Sequence, residues 1–420
     1  MTSKHSDSRT GFLLLSAVFF MWGFLTSLNG ILLPHISIIF ELEYSKAMLV
    51  YMTFFGTYFI MAFPAGKLIN ALGYRTGIMI GLVTAGFACT ILGPAATLKS
   101  YPLFLSGLFL LATGITTLQV ASLPYIALIG FHQSAASRLT LKGAFNSLGT
   151  TLAPLFGTTI FLALAGLTPE KMEQMSPDEY KNAEVLFIQL PYLIIAGILF
   201  VLAFIMEFSE LPKFHSNEDE PTAADGGNHK YVLQFKHLVL AAIGIFFYVG
   251  AEVTIGSYLV GYLTNPEIVG IDFLKATQFV AIYWGGAMIG RFIGQFLLKK
   301  YHVGKSVAFC AAAAIVLLTI SMLTKGDIAM YTILSIGLFN SILFPAIFTM
   351  GMDGLGKFSE EGSSVMVMAI VGGAVVPFIF GILADKNVLG LHYALILPVI
   401  CYLYIIYYGL IGSKFERLPS

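Results

Sequence analysis

The chain has 420 residues, of which 57% are hydrophobic and only 11% are charged, and its mean hydropathy is +0.84. A soluble domain of this length carries far more charge, so the composition excludes an ordinary soluble protein. The 23 basic residues equal the 23 acidic ones, and this balance gives no sign of a nucleic-acid partner. The sequence therefore predicts a protein whose solvent is the lipid bilayer.

Apolar stretches of about 20 residues, the length that crosses a bilayer core, occur twelve times along the chain. The first apolar run has no small-residue cleavage site, so we predict a first span and not a signal peptide. The predicted spans are 11–34, 47–70, 76–97, 101–129, 139–165, 185–208, 235–263, 273–298, 304–324, 328–352, 362–384 and 391–411.

A polar stretch at residues 209–234 is the only long linker between the spans, and it lies at the middle of the chain. We therefore expect an N-terminal six-helix half (1–208), a linker (209–234) and a C-terminal six-helix half (235–420). With twelve spans, 16 of the 23 Lys and Arg residues fall on one side of the membrane. The positive-inside rule places that side, with both termini and the linker, in the cytoplasm.

Short sequence similarities between the two halves indicate a duplicated unit. Leu123–Pro124 in span 4 is matched by Phe344–Pro345 in span 10, and Pro154–Gly157 in span 5 by Pro377–Gly381 in span 11. Two six-helix halves related by an axis along the membrane normal are the layout of the major facilitator fold. The predicted fold class is thus an all-α membrane protein with this fold, and its substrate site is expected between the halves near the midplane.

Glu252 is the clearest candidate for function, because an ionisable residue deep in a span costs roughly 2.5–3.5 kcal/mol on insertion scales. It lies well inside span 7. One interpretation is a carboxylate that faces a cavity and binds a proton, a cation or a substrate hydroxyl. The other is a protonated glutamic acid that is hydrogen-bonded to a neighbouring helix. Tyr248 lies four residues earlier and so shares its helix face.

Neutral polar and aromatic residues complete the candidate binding set. Amide side chains offer donors and acceptors without a charge and suit a polyhydroxylated ligand, although they also join helices to one another. Trp284 lies within span 8 beside two glycines and either stacks on a sugar ring or packs in the bundle. The expected substrate-binding residues are Asn29, Gln119, Asn146, Tyr248, Glu252, Trp284 and Asn340.

The other charges read as structural. Arg291 follows Gly290 near the cytoplasmic end of span 8, where Asp353, Glu360 and Glu361 are candidates to pair with it. Lys142 is within a turn of the start of span 5 and is able to snorkel. The three cysteines lie in apolar runs without metal-ligand spacing, and the sequence has no P-loop or nucleophile elbow. We expect no enzyme activity, no cofactor and no metal.

Several runs of residues resemble the fucose–galactose–glucose:proton symporters, a branch of the major facilitator superfamily, and within it the bacterial glucose/galactose transporters. The resemblance covers nearly the whole membrane portion. Glu252 matches an acid of the glucose/galactose group, and Gly66–Leu68 with Gly73 and Arg75 is a degraded form of the superfamily's signature between spans 2 and 3. The matching runs are Asn29–His35, Ala144–Thr151, Gly244–Gly250, Tyr283–Met288, Phe339–Ile342 and Met368–Ala374.

Three positions depart from the branch. Its carboxylate in span 1 is Gly30 here, and the glutamine before the Ala-Phe-Asn run is Gly143. The span 4 acid of the fucose branch is Gln119, but the resemblance implies that glucose/galactose members carry a glutamine there as well. Two polar anchors of the N-terminal half are therefore missing. Either the substrate is not an ordinary hexose, or ion coupling has moved to Glu252.

The resemblance implies a secondary transporter that moves a hexose, such as glucose or galactose, across the bacterial inner membrane by alternating access. We expect coupling to H+ or Na+ at Glu252, a monomer, and no partner besides the lipid bilayer, the solute and the ion. An uncoupled facilitator is the first alternative, because of Gly30. The same fold with a siderophore, a drug or a metabolite as its cargo is the second, and a receptor is the third.

Overall fold

Helices form all the regular secondary structure of the described residues, which are 3–40, 44–128, 134–156, 175–209, 231–385 and 388–413. In this computed structural model each predicted span corresponds to one helix or to consecutive helical segments over its described residues, so the predicted all-α fold class is confirmed. The helices are α1 Ser3–Ile39, α2 Tyr44–Leu72, α3 Tyr74–Thr97, α4 Tyr101–Leu128, α5 Ala135–Leu155, α6 Pro177–Glu207, α7 Lys236–Thr264, α8 Phe273–Lys300, α9 Val303–Leu323, α10 Gly326–Met352, α11 Gly356–Leu383 and α12 Gly390–Gly412.

Ten of the described helices are long and apolar enough to cross a membrane, judged by length and composition. The two helices that are more polar are α5 and α8. Each carries a cation well inside its length, Lys142 in α5 and Arg291 in α8. Charged side chains in a membrane bundle face protein or water and not lipid. The polar character of α5 and α8 therefore indicates that they line the interior.

The start of α6 differs from the sequence prediction, which placed it at residue 185. The helix begins at Pro177 because Ser176 and Glu179 form a capping box. The backbone N–H of Ser176 donates to Oε2 of Glu179 at 2.8 Å, and this hydrogen bond lowers the pKa of that exposed carboxyl. The apolar stretch itself begins at Val185, so hydropathy alone could not reveal the first two turns.

The chain divides into two compact units by packing. The first contains Met1–Ser122 and Leu148–His215, and the second contains Leu123–Ser147 and Ser216–Ser420. The end of α4 and the start of α5 therefore pack with the C-terminal helices. The predicted six-helix halves are defined by duplication along the chain, which packing does not test, so they stay a prediction.

The first unit contains close packing of α3 on α6. Gly86 faces the ring of Phe200, and Gly93 faces Gln189, so the two helices approach where α3 lacks a side chain. At one end of this pair Arg75 donates from Nε to the carbonyl of Met206 at 3.1 Å and from Nη2 to the carbonyl of Glu207. The arginine of the degraded signature thus satisfies carbonyls at the C-terminus of α6.

The second unit is built around α7, which packs against α10, α11 and α12. α8 and α9 both pack against α10. α10 is interrupted at Ser341–Ile342, between the helical segments Gly326–Asn340 and Leu343–Met352. The start of α5 joins the end of α4 through Arg138, which donates to the carbonyls of Ile126 and Ala127 at 3.2 and 2.8 Å.

Some sequence predictions fall outside the described residues. They are most of the linker (210–230) and the end of the fifth span (157–165). The three cysteines are free, as their spacing in the sequence indicated.

Candidate functional site

A hydrogen-bonded network surrounds Glu252 in the middle of α7. The hydroxyl of Tyr248 lies 2.7 Å from Oε1 of Glu252 and 3.0 Å from the backbone carbonyl of Asn340. A phenol has one hydrogen to donate, so the two acceptors compete for it. An ionised Glu252 takes the hydrogen, whereas a protonated Glu252 can donate its own proton to the phenol oxygen and leave the Tyr248 hydrogen to Asn340. The network is therefore sensitive to the charge of Glu252.

Asn340 connects three helices through its side-chain amide. Its Nδ2 donates to the hydroxyl of Tyr283 on α8 at 3.1 Å, and its Oδ1 accepts from the hydroxyl of Tyr402 on α12 at 2.6 Å. The side chain is fully buried and lies at the last residue before the interruption of α10. Both ends of the amide are thus engaged, and the orientation of the two tyrosines depends on it.

Trp284 lies next to the same network on the face of α8 that meets α7. A Cβ atom added to Gly256 would lie 2.9 Å from Cζ2 of Trp284, so the indole rests on the backbone of α7 one turn beyond Glu252. Its ring meets that of Tyr283 edge to face, with centroids 5.2 Å apart. The side chain is half-buried, which leaves part of the ring surface uncovered.

Arg291 interacts with this network, and sequence reasoning did not place it there. Its guanidinium donates from Nε to the carbonyl of Ser341 at 3.2 Å, and from Nη1 to the carbonyl of Gly143 at 2.9 Å and to Oγ of Ser147. It is also close enough to Glu252 for a Coulombic attraction. The signal was available, because an arginine seven residues before the predicted end of a span needs a reason to be there.

The expected partners of Arg291 were wrong. The sequence suggested Asp353, Glu360 or Glu361 as its ion-pair partners, but its hydrogen bonds go to backbone carbonyls and a serine instead. The carbonyl of Asp353 contacts Nε2 of His237 at 2.8 Å. The sequence placed Arg291 and these three acids near the same membrane face, but it did not show which groups form hydrogen bonds with one another.

Lys142 also differs from its expected behaviour. The helix begins at Ala135, so Lys142 lies two turns inside α5 and not within its first turn. The side chain is only 4% exposed and does not snorkel. Its Nζ lies 5.8 Å from the centre of the Phe145 ring, a cation–π distance.

In the first unit, Gln119 forms a separate polar cluster. Its Nε2 lies 2.9 Å from the hydroxyl of Tyr58, which Trp22 also contacts by a side-chain hydrogen bond. Gln119 is 1% exposed, and its Oε1 has no hydrogen-bond partner among the residues that the structure describes. A buried amide oxygen without a partner is costly, so a ligand hydroxyl that donates to it would gain binding energy.

The structure brings together four of the seven predicted residues, namely Tyr248, Glu252, Trp284 and Asn340. Gln119 belongs to the first unit, and Asn146 lies half-buried on α5 next to Ser147, which contacts Arg291. Asn29 is within α1, but its side chain is outside the described part of the structure. Tyr58, Tyr283 and Tyr402 join these clusters, and the sequence analysis predicted none of the three as a site residue.

Comparison with known proteins identifies the family. The model of the Major Facilitator Superfamily matches residues 14–369 of this chain. The chain belongs to this superfamily. It is therefore a multi-pass membrane transporter and not an enzyme, and the resemblance seen in its sequence runs is confirmed.

The similar proteins match over almost their full lengths. The glucose/galactose transporter of Brucella abortus is 48% identical over 98% of this chain and 97% of its own length. The L-fucose-proton symporter of Escherichia coli is 32% identical over 96% of this chain and 93% of its own. A crystal structure of the E. coli fucose:proton symporter superposes with a TM-score of 0.85, at 30% identity, covering 97% of this chain and 100% of that one.

Proposed function

We propose that this protein carries a hexose of the glucose or galactose type across the bacterial inner membrane by alternating access, coupled to protons at Glu252. The observation that carries the proposal is the carboxylate of Glu252 inside α7, hydrogen-bonded to Tyr248 and attracted by Arg291. The full-length similarity to a glucose/galactose transporter supports the choice of sugar. A single intramembrane carboxylate that can gain and lose a proton is what such coupling requires.

The chemistry of the clusters suits a sugar. The uncovered ring surface of Trp284 offers a face for the C–H groups of a pyranose. Oε1 of Gln119, which has no hydrogen-bond partner among the described residues, offers an acceptor for a hydroxyl. Asn340 already uses both ends of its amide. We therefore assign it the role of orienting Tyr283 and Tyr402, because its fully buried side chain has no exposed surface for a solute to contact.

Protons fit the surroundings of Glu252 better than sodium. A hard cation takes several oxygen ligands at once, whereas the groups of the described residues that contact or attract this carboxylate are a hydroxyl and a guanidinium. The positive charge of Arg291 repels a second cation at the same place. A proton needs only one oxygen of the carboxylate.

An uncoupled facilitator is the second candidate, and the glycine at position 30 favours it. Sodium coupling, or a non-sugar cargo such as a siderophore, drug or metabolite, would keep the same fold. We further propose that the protein works as a monomer, that its two six-helix halves (1–208 and 235–420) flank the linker 209–234, and that both termini are cytoplasmic.

Flux into vesicles that contain the purified protein separates these candidates. We expect labelled glucose or galactose to accumulate above the outside concentration when the pH gradient drives protons inward, and not when a sodium gradient is imposed alone. Equilibration without accumulation would identify a facilitator, and accumulation with sodium alone would overturn proton coupling. Sugar binding without flux would identify a receptor, and no binding of any sugar in a panel would overturn the proposed substrate class.

A further inference from the structure

Arg291 joins three elements of the second unit at one point. Its Nη1 binds the start of α5 through the carbonyl of Gly143 and the hydroxyl of Ser147, and its Nε binds the interruption of α10 through the carbonyl of Ser341. One turn further along α8, the carbonyl of Gln295 accepts from Oγ of Ser137 at 2.7 Å. The start of α5 is thus fixed to α8 and α10 by a short row of polar contacts.

Missing side chains make room for this junction. A Cβ atom at Gly143 would lie 3.5 Å from Cδ and 3.6 Å from Nε of Arg291, so the arginine side chain lies against the backbone of α5. On α8, Gly290 faces Leu338 and Ser341, and Gly294 faces Ile342 and Thr140. Beneath the polar row, Ala136, Leu298 and Ile342 form a small buried apolar cluster from the same three helices.

The same arginine interacts electrostatically with Glu252. In the described part of the chain, the other titratable groups that interact with this carboxylate are Tyr248 on its own helix, Tyr283 on α8 and Tyr402 on α12. Among the described groups that interact with Glu252, Arg291 is the one that carries a positive charge. An ionised Glu252 attracts the guanidinium, and a neutral Glu252 removes that attraction.

We propose that Arg291 is a latch that fixes the start of α5 to α8 and α10 while Glu252 is ionised, and that loosens when Glu252 is neutralised. The inference rests on the proposed coupling role of Glu252 and extends it with a path for the signal. Tyr248 and Arg291 bind the successive carbonyls of Asn340 and Ser341 at the interruption of α10, so both contacts respond to one carboxylate. Proton binding would thereby free α5 to move.

The rate at which a cysteine introduced at position 136 reacts with a maleimide measures how often the latch opens. Ala136 is 3% exposed because Leu298 and Ile342 cover it, so a cysteine there reacts with a maleimide only when α5 separates from them. The background is the full-length protein in vesicles with Cys89, Cys310 and Cys401 replaced by serine. At one fixed pH, we expect Glu252→Gln and Arg291→Gln each to raise the labelling rate of Ala136→Cys about tenfold, equivalent to about 1.4 kcal/mol of latch stability.

The double variant distinguishes a latch from a merely structural arginine. If Arg291 transmits the charge of Glu252, then adding Glu252→Gln to Arg291→Gln changes nothing further, whereas independent effects would multiply. Gly143→Leu, which pushes on the guanidinium, should also raise labelling, and Gly143→Ala, whose Cβ fits at ordinary contact distance, should not. Arg291→Lys keeps the charge and should restore part of the response to Glu252→Gln.

One control variant and one transport measurement keep the outcomes distinguishable. A cysteine at Ala329, buried on α10 about three turns before its interruption, should stay unlabelled in every variant, and labelling there would reveal general loosening. Unchanged slow labelling of Ala136→Cys in Arg291→Gln, or fully multiplicative effects in the double variant, would overturn the latch. If Glu252→Gln accumulates sugar normally while Arg291→Gln still opens the junction, the proposed coupling role fails and the arginine contact stands without it.

Discussion

At Tyr248, one hydroxyl hydrogen lies between the carboxylate of Glu252 and the carbonyl of Asn340. This arrangement converts a change of charge into a change of hydrogen-bond partner, which is what a coupling residue must do. The sequence placed Tyr248 and Glu252 on one helix face from their spacing alone. It could not place Asn340, because that contact joins residues 92 positions apart and depends on how α7 packs on α10.

Replacing Asn340 by leucine should destabilise the protein strongly. Tyr283 loses its donor and Tyr402 its acceptor, and each buried hydroxyl left without a partner costs about 1–3 kcal/mol. We expect a clear fall of the melting temperature of the detergent-purified protein. Adding Tyr283→Phe and Tyr402→Phe should recover much of the loss, because the orphaned hydroxyls are then gone. Equal losses in the single and triple variants would show that the network contributes little.

Among the helices, α8 has the most specific role, because its glycines and its polar and aromatic side chains contact different neighbouring helices. Gly290 and Gly294 bring its backbone against α10, and Trp284 and Arg291 present polar and aromatic groups to α7 and α5. This division explains why α8 fails the test for an apolar span that ten other helices pass. Hydropathy predicted that this segment is a helix. Which neighbour each of its faces contacts became known only from the packing of α8 in the structure.

Alanine substitutions at two glycines of α8 should differ in their effect on the stability of the protein. A Cβ at Gly290 would lie 2.7 Å from Cβ of Ser341, so Gly290→Ala overpacks the contact with α10 and should cost about 1–3 kcal/mol. A Cβ at Gly285 meets no atom within 4 Å, so Gly285→Ala should leave the stability unchanged or slightly raised. Thermal unfolding in detergent compares the two. A loss at Gly285 as large as that at Gly290 would contradict this packing.

For the whole molecule, the sequence predicted the number, type and approximate bounds of the helices, because bilayer thickness imposes a length and composition that are easy to read. Helix interruptions and capped ends were not predictable in this way, as α10 and α6 show. The candidate site was predictable in part. Glu252 and Arg291 are both charged residues inside spans, yet only Glu252 was predicted to be functional. The contacts of Arg291 depend on distances between helices, which the sequence does not contain.

The orientation in the membrane gives a further prediction at this scale. Lys305, in the first turn of α9, and Lys325, just beyond its end, are both exposed, and the distribution of positive charge assigns them to the cytoplasmic and periplasmic faces respectively. In right-side-out vesicles of the cysteine-free protein, an impermeant maleimide should label Lys325→Cys and not Lys305→Cys. The reverse pattern would place the termini in the periplasm.

Sugar accumulation by Glu252→Gln tests the central claim most directly. In vesicles with an inward proton gradient, the wild-type protein should concentrate glucose or galactose. The variant should lose this accumulation yet still exchange labelled for unlabelled sugar, because it keeps a neutral side chain of the same size beside Tyr248. Accumulation by the variant equal to that of the wild type, across both pH and sodium gradients, would contradict the assignment of coupling to Glu252.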